Sequence, residues 1–278
     1  MSATEIPSSN FPSSETVDPK MVGLVDAVRA GWYRQDSHEL FDGFPIGATD
    51  TVLDVGCGAG MATIFAAQRG ARVLFADVDE QTIAALEQRM SGSGAREWRG
   101  IVTDCNPIPV ADGVASRVIA LEVLEHVADP ATVMLELARV AAPNALLLLA
   151  VPDAASEELQ RTVVPDLYFQ FPNHIRVIAP MEFEQWVTQA GLSIVRRHSY
   201  SFYWNMAMAL FWLSKANTEP PKGETAMGFL EPPFPAMVET WAKLWEMVLS
   251  HPLGEALRAH LDRTQPKSRI IVARKPAH

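Results

Sequence analysis

Apolar residues along this chain keep two alternating rhythms. Short, nearly continuous apolar runs at Thr51–Val55, Ala71–Asp77, Trp98–Val102, Arg117–Leu121 and Ala145–Val151 read as strands. Between them the apolar positions recur every three or four residues. Ile64 and Phe65 follow the first run; Ile83, Leu86 and Met90 follow the second; Met134, Leu137, Ala138 and Ala141 follow the fourth. Strand alternating with helix predicts parallel strands joined by helical crossovers, an α/β doubly wound sheet. Ala145–Val151 has no polar position, as expected of a central strand buried on both faces. Punctuation agrees with the rhythm. Gly70 stops the first helix, Asp79 can cap the second, Ser91-Gly92-Ser93-Gly94 ends it, and Asp129-Pro130 opens the next.

The flanks are patterned differently. Residues 1–18 are rich in Ser, Pro and Thr and read as a disordered tail. Met21, Leu24, Val25, Val28 and Trp32 recur at helical spacing, so residues 19–48 are expected to form an N-terminal helical cap. Pro180–Gly191 reads as a further helix, Ser193–Ser199 as an antiparallel strand and Ser268–Pro276 as the closing strand. The core is thus placed at residues 49–199 and 267–278, with residues 200–266 as a helical insertion between the last two strands. Within it, Ser201–Leu213 is apolar almost all round, yet too short to span a bilayer. Glu219-Pro220-Pro221 and Glu231-Pro232-Pro233 mark a proline-rich loop, and Met237, Trp241, Leu244 and Val248 mark another helix. Three readings of this insertion stand side by side: a lid over the substrate, the interface of a homodimer, or a peripheral surface through residues 201–213 for a membrane or a lipid-linked substrate.

Composition narrows the field. Of 278 residues, 48% are hydrophobic and 20% charged, enough apolar content for a substantial core. The net charge of −10 argues against nucleic acid as a partner, since such binding depends on neutralising phosphates. Two cysteines, Cys57 and Cys105, are too few for a disulfide framework and lack zinc-ligand spacing. No signal-peptide pattern and no run of roughly 18 apolar residues is present, so a cytoplasmic location is expected.

The chemistry concentrates after the first strand. Val52–Val55 runs into Gly56-Cys57-Gly58-Ala59-Gly60, three glycines spaced by two, and a helical pattern begins at Met61. Such a strand–turn–helix corner lets a ligand approach the backbone and presents N–H groups to it. Asp77 ends the second strand about 20 residues on, the spacing at which a carboxylate meets a ribose diol. The chain therefore reads as a binder of an adenosine-type cofactor. Met61 stands where the dinucleotide fingerprint needs its third glycine, which disfavours a nicotinamide dehydrogenase.

Leu53-Asp54-Val55-Gly56-Cys57-Gly58-Ala59-Gly60 resembles motif I of the class I S-adenosylmethionine-dependent methyltransferases. Two later stretches strengthen the likeness: Leu121-Glu122-Val123-Leu124-Glu125-His126-Val127-Ala128-Asp129-Pro130, and Asn173-His174-Ile175-Arg176 before Pro180–Val187. The resemblance covers about residues 45–199 and the final strand. It implies a seven-stranded Rossmann-like sheet, S-adenosylmethionine as cofactor and S-adenosylhomocysteine as product. Carried over residue by residue, it places Tyr33, Asp54, Gly56, Cys57, Gly58, Gly60, Asp77, Val78, Asp104, Cys105, Leu121 and Glu122 around the cofactor. Asp77 then meets the ribose and Asp104 the adenine amino group, and Trp32-Tyr33-Arg34 closes over the cofactor unless that segment merely packs on the sheet. Where similar enzymes have Lys-Pro-Gly-Gly, this chain has Ala142-Pro143-Asn144-Ala145, and Asn144 can take the left-handed conformation instead.

His126 and His174 are the candidate catalytic bases, because an aliphatic hydroxyl acceptor needs its proton removed. The loop bearing Tyr168, Phe169, Phe171 and His174 faces substrate in one reading and packs in the other. No metal is expected, for want of a dense acidic and histidine cluster. The favoured function is O-methylation of a small molecule or of a saccharide, including a lipid-linked or cell-envelope one. Methylation of a quinone, lipid or polyketide is the alternative within the class, and a non-catalytic S-adenosylmethionine-binding regulator the alternative outside it.

Overall fold

The computed structural model describes residues 17–215 and 232–277, apart from the side chain of Leu167. The tail expectation for residues 1–16 and the prolines at 220–221 lie outside the described residues. A short hairpin, β1 (Glu39–Phe41) and β2 (Phe44–Pro45), precedes the main sheet. That sheet comprises β3 (Thr51–Val55), β4 (Arg72–Asp77), β5 (Glu97–Val102), β6 (Ala115–Leu121), β7 (Ala141–Pro152), β8 (Ser193–Tyr200) and β9 (Ser268–Arg274). Its order is β5-β4-β3-β6-β7-β9-β8. β3 pairs in parallel with β4 on one side and β6 on the other, so the winding reverses at β3. In such sheets ligands bind beyond the carboxyl ends of the strands at that reversal. The doubly wound seven-stranded sheet expected from the sequence is therefore present.

The described residues divide into two compact units. The sheet unit holds residues 33–151, 178–198 and 269–277, with α2 (Met61–Ala67), α3 (Glu80–Met90), α4 (Pro130–Val140) and α6 (Pro180–Gln189). Its core is made by the inward residues of the strands, such as Leu53, Val55, Leu74 and Leu147, packed against Met134 and Leu137 of α4 and Phe183 and Val187 of α6. All these side chains are buried, which is the dominant stabilising contribution for a sheet of this kind. Asn144 does take a left-handed conformation, at φ 66°, as β7 begins.

The helical unit gathers residues 17–32, 152–177, 199–215 and 232–268. It contains α1 (Pro19–Arg29), which follows the capping carboxylate of Asp18, and α5 (Ala154–Gln160). A one-turn helix at Asp166–Phe169 comes next, followed by α7 (Phe202–Lys215), α8 (Ala236–Ser250) and α9 (Gly254–Thr264). The insertion between the last two strands is helical, as expected. The division nevertheless differs from the sequence reading. Residues 19–32 and 152–177 group with the insertion, and residues 39–45 form a hairpin rather than part of a helical cap.

The face of α1 also differs. Met21, Leu24 and Val28 were expected to share the buried face with Val25, but α1 buries Val22, Val25 and Asp26. The reason is polar. Asp26 accepts hydrogen bonds from the Ser201 hydroxyl at 3.0 Å and the Trp245 indole at 2.9 Å, which turns the helix toward α7 and α8. Val22 and Val25 then pack with Tyr203, Trp245 and Leu249.

Candidate active site

The glycine turn leaves the carboxyl end of β3 with Gly56, Gly58 and Gly60 all at positive φ. The three glycines do different work. A Cβ at Gly56 would press on Val123, and one at Gly60 on Leu86, so these two are closed by packing. A Cβ at Gly58 would meet nothing nearer than the Gly56 carbonyl oxygen at 4.0 Å. Gly58 alone therefore opens onto free space, with a backbone (φ 46°) that side chains rarely adopt.

Around that opening the carboxylates are tied to the backbone. Asp77, at the end of β4, accepts from the Gly58 N–H at 3.0 Å and from the Asp79 N–H at 3.1 Å. One side chain thus joins the glycine turn to the start of α3. Each carboxylate oxygen retains a lone pair for a further donor, which is what a ribose diol offers. Val78 follows, with 71% of its surface exposed beside the site, an apolar face for a flat base. Asp104, beyond β5, is exposed and accepts from the Asn106 N–H at 3.1 Å. Cys105 is held at φ 69° with its N–H on the Thr103 hydroxyl oxygen at 3.1 Å.

Beneath the turn lies Asp54, buried in β3. Thr63 donates its hydroxyl to Asp54 at 2.6 Å, tying the strand to α2. Burial pushes this carboxyl up to about 6, against the lowering effect of the Thr63 hydrogen bonds. The Tyr33 ring lies 5.8 Å from that of Phe65, and its hydroxyl is held above the ordinary range by burial and then by the Asp54 charge. Cys57 is likewise raised by burial first and by Asp54 and Asp77 after it, and Cys105 is pushed up to about 11 by burial and then Asp104. Both thiols stay neutral near pH 7, so neither is a nucleophile here. The residues fit S-adenosylmethionine: room over Gly58, acceptors at Asp77 and Asp104, and an apolar face at Val78.

Leu121 and Glu122 close β6. Glu122 sits at φ 57°, donating its N–H to the Ala150 carbonyl at 3.0 Å. A left-handed non-glycine residue at the carboxyl end of a strand is a conformation found disproportionately at functional sites. The turn continues to Glu125, whose carboxylate is buried, and to His126, whose Nε2 is 3.8 Å from Glu125 Oε1. Glu122, Glu125 and His126 put two carboxylates and an imidazole within five residues.

His174 belongs to the helical unit. Its Nδ1 is 2.8 Å from Oε2 of Glu157 on α5, and both side chains are buried. Tyr168 is buried beside them, whereas Phe171 is 78% exposed, so packing accounts for part of this loop. Thr63 and Glu157 were not singled out from the sequence. Thr63 was findable as a hydroxyl two residues into the helix after Asp54; Glu157 lies in a stretch with no readable rhythm.

A family model described as a methyltransferase domain matches residues 30–197, which is more than half of the chain. The chain belongs to the class I methyltransferase family. The methyltransferase uses S-adenosylmethionine as cofactor. It is 28% identical over 201 residues to a ubiquinone biosynthesis O-methyltransferase of Leptothrix cholodnii, covering 68% of this chain and 80% of that one. A Pseudomonas paraeruginosa protein of the same name is 32% identical over 159 residues, covering 53% of this chain and 66% of that one. Among solved structures, the cyclase SpnF shares the fold with a TM-score of 0.54 at 18% identity, over 94% of this chain and 81% of that one. That likeness speaks for the fold alone, since one fold carries many activities. Among the described residues, no helix is long and apolar enough to cross a membrane.

Proposed function

We propose that this methyltransferase places a methyl group on a hydroxyl oxygen of a small phenol- or quinol-type acceptor. The observation that carries the reading is the turn after β6. There the left-handed Glu122 is followed by Glu125 and His126 at the ligand-binding end of the sheet, in a domain aligned with proteins named for O-methylation in ubiquinone biosynthesis. Those names favour a phenol over the saccharide also expected from the sequence.

S-adenosylmethionine supplies a methyl group on a sulfonium, already activated toward an oxygen nucleophile. The chain does the rest. Asp77 and Asp104 would hold the ribose and the base, Val78 would lie against the base, and Gly58 leaves room for the bound cofactor. Alignment of the acceptor oxygen with the methyl group supplies much of the rate. The remaining task is the acceptor's proton, for which a neutral imidazole is suited near pH 7. His126 and His174 are the two candidates, and each is beside a buried carboxylate that stabilises the imidazolium formed.

The test is incubation with S-adenosylmethionine carrying a tritiated methyl group and, separately, catechol, hydroquinone and methyl glucoside. Labelled aryl ether from the phenols and none from the glycoside is the expected result. Transfer only to the glycoside, or to carbon rather than oxygen, would overturn the reading.

A further inference from the structure

We infer that the outer edge of β5 is a self-association surface, and that its occupant is β5 of a second copy, paired antiparallel about a dyad at Trp98. This holds whichever acceptor is methylated. β5 ends the strand order, so one side of Glu97–Val102 has no neighbouring strand among the described residues. An unpaired edge is a template for another strand, and proteins usually blunt it with a proline, a bulge or charges. β5 has no proline, and its register with β4 runs unbroken from Arg72↔Glu97 to Asp77↔Val102. Trp98 and Val102 are exposed on it. The Arg96 N–H, just before β5, donates to the Ala71 carbonyl, just before β4, at 3.1 Å. Alternation along a parallel ladder then turns the N–H and C=O groups of Glu97, Arg99 and Ile101 outward.

Charge decides whether such an edge accepts its own copy. The opposite edge, β8, does not. Arg196 and Arg197 stand side by side there, so any central antiparallel self-pairing sets arginine against arginine. Both are also engaged within the chain, Arg196 with Asp42 at 2.9 Å and Arg197 with the two Glu184 oxygens at 2.7 and 2.8 Å. β5 instead carries Glu97 and Arg99, two apart on one face. With the dyad at Trp98, Glu97 of each copy lies opposite Arg99 of the other, and their outward amides exchange both hydrogen bonds. The two Trp98 residues form the intervening close pair, about 4.5 Å apart at Cα. Glu97 has capacity for this, since it holds Arg72 through Oε2 alone, at 3.0 Å. Arg99 has no ion pair among the described residues. A dyad at Arg99 would match the outward amides too, but it opposes Arg99 to itself, so charge selects the register. Trp98 points to the other face, where its ring packs 6.2 Å from that of Phe75. A six-residue edge is a small interface, which gives reversible association.

Sedimentation velocity of the full chain, from micromolar to submillimolar concentration, tests this. Wild type is expected to pass reversibly from monomer to dimer; a monomer throughout overturns the inference. Arg99→Glu sets Glu97 against a glutamate, and Glu97→Arg sets Arg99 against an arginine. Each variant alone should therefore raise the dimer Kd about tenfold or more. Mixed in equal amounts, the two should associate as a heterodimer, because every cross pair is again opposite in sign. That recovery also shows both variants to be folded. Unchanged dimerisation in both single variants, or no recovery on mixing, overturns the inference. Hydrogen exchange gives a second readout. As wild-type concentration rises, the Glu97 and Arg99 amides should slow, while that of Trp98, turned toward β4, should not change. Slowing confined to α7 or α8 would place the interface on the helical insertion instead.

Discussion

The two units of the molecule use polar residues in opposite ways. In the sheet unit, the polar groups of the glycine turn are few, held by backbone N–H groups, and arranged around an opening at Gly58. In the helical unit, polar groups are buried among themselves. Asp26 binds Ser201 and Trp245; Arg258 binds Asp262 at 2.6 Å; and Asn205 accepts from both Ser156 and Gln160. The first arrangement leaves capacity for a ligand, whereas the second spends its capacity internally, fixing how helices distant in sequence pack. Substitutions in the first should therefore cost binding with little stability, and those in the second should cost stability or change its pH dependence.

The largest effect expected is at Gly58. Gly58→Val puts a branched side chain into the opening over the turn and should weaken S-adenosylmethionine binding by about 3 kcal/mol or more, roughly a hundredfold, as read by calorimetric titration. The positive φ costs about 1–2 kcal/mol of stability besides, so the protein should still fold. Normal affinity in Gly58→Val would dissolve the comparison at its centre. Asp77→Ala comes next. It removes the acceptor proposed for the ribose and the tie to Gly58 and Asp79, and a tenfold to hundredfold rise in Kd is expected, about 1.5–3 kcal/mol for a charge-assisted pair. An unchanged Kd would take Asp77 out of the site.

A smaller effect separates the helical unit. Burial, and then the Asp262 charge, raise Asp26 to about 7 from an ordinary 3.8, against the lowering effects of Trp245, Arg258 and Ser201. A group with a raised folded pKa keeps its proton in the folded state while the unfolded chain has already released it. Stability is therefore lost as pH rises from about 4 through 7. Asp26→Asn removes that loss and should melt about 3–6 °C above wild type at pH 8, with the gap narrowing at pH 5, by scanning calorimetry. A gap that does not change with pH would show that Asp26 does not titrate in this range. The smallest effect expected is none at all: dialysis against EDTA should leave methyl transfer unchanged if the imidazoles move protons. A loss restored by magnesium would reassign Glu122, Glu125 and His126 to a metal.

The same contrast explains what could be read in advance. Strand runs such as Leu53–Val55 and Ala145–Val151 are local and buried, so their pattern is written in consecutive residues. Gly58 and Asp77 were legible because backbone geometry restricts those positions to particular residue types. The phase of α1 was not, because it depends on Asp26 meeting Ser201 and Trp245, 175 and 219 residues away. Glu157 was invisible for the same reason. Its buried carboxylate is partnered by His174 and Tyr168, and α5 is too short for a helical rhythm to show. Distant pairings of polar residues leave no periodicity along a chain.

The most direct test of the central claim, that the opening over Gly58 holds S-adenosylmethionine, is calorimetric titration of the protein with that cofactor. S-adenosylhomocysteine and NAD serve as parallel ligands. The account predicts micromolar binding of both sulfur compounds and none of NAD. Binding of NAD alone, by a folded sample, would contradict it.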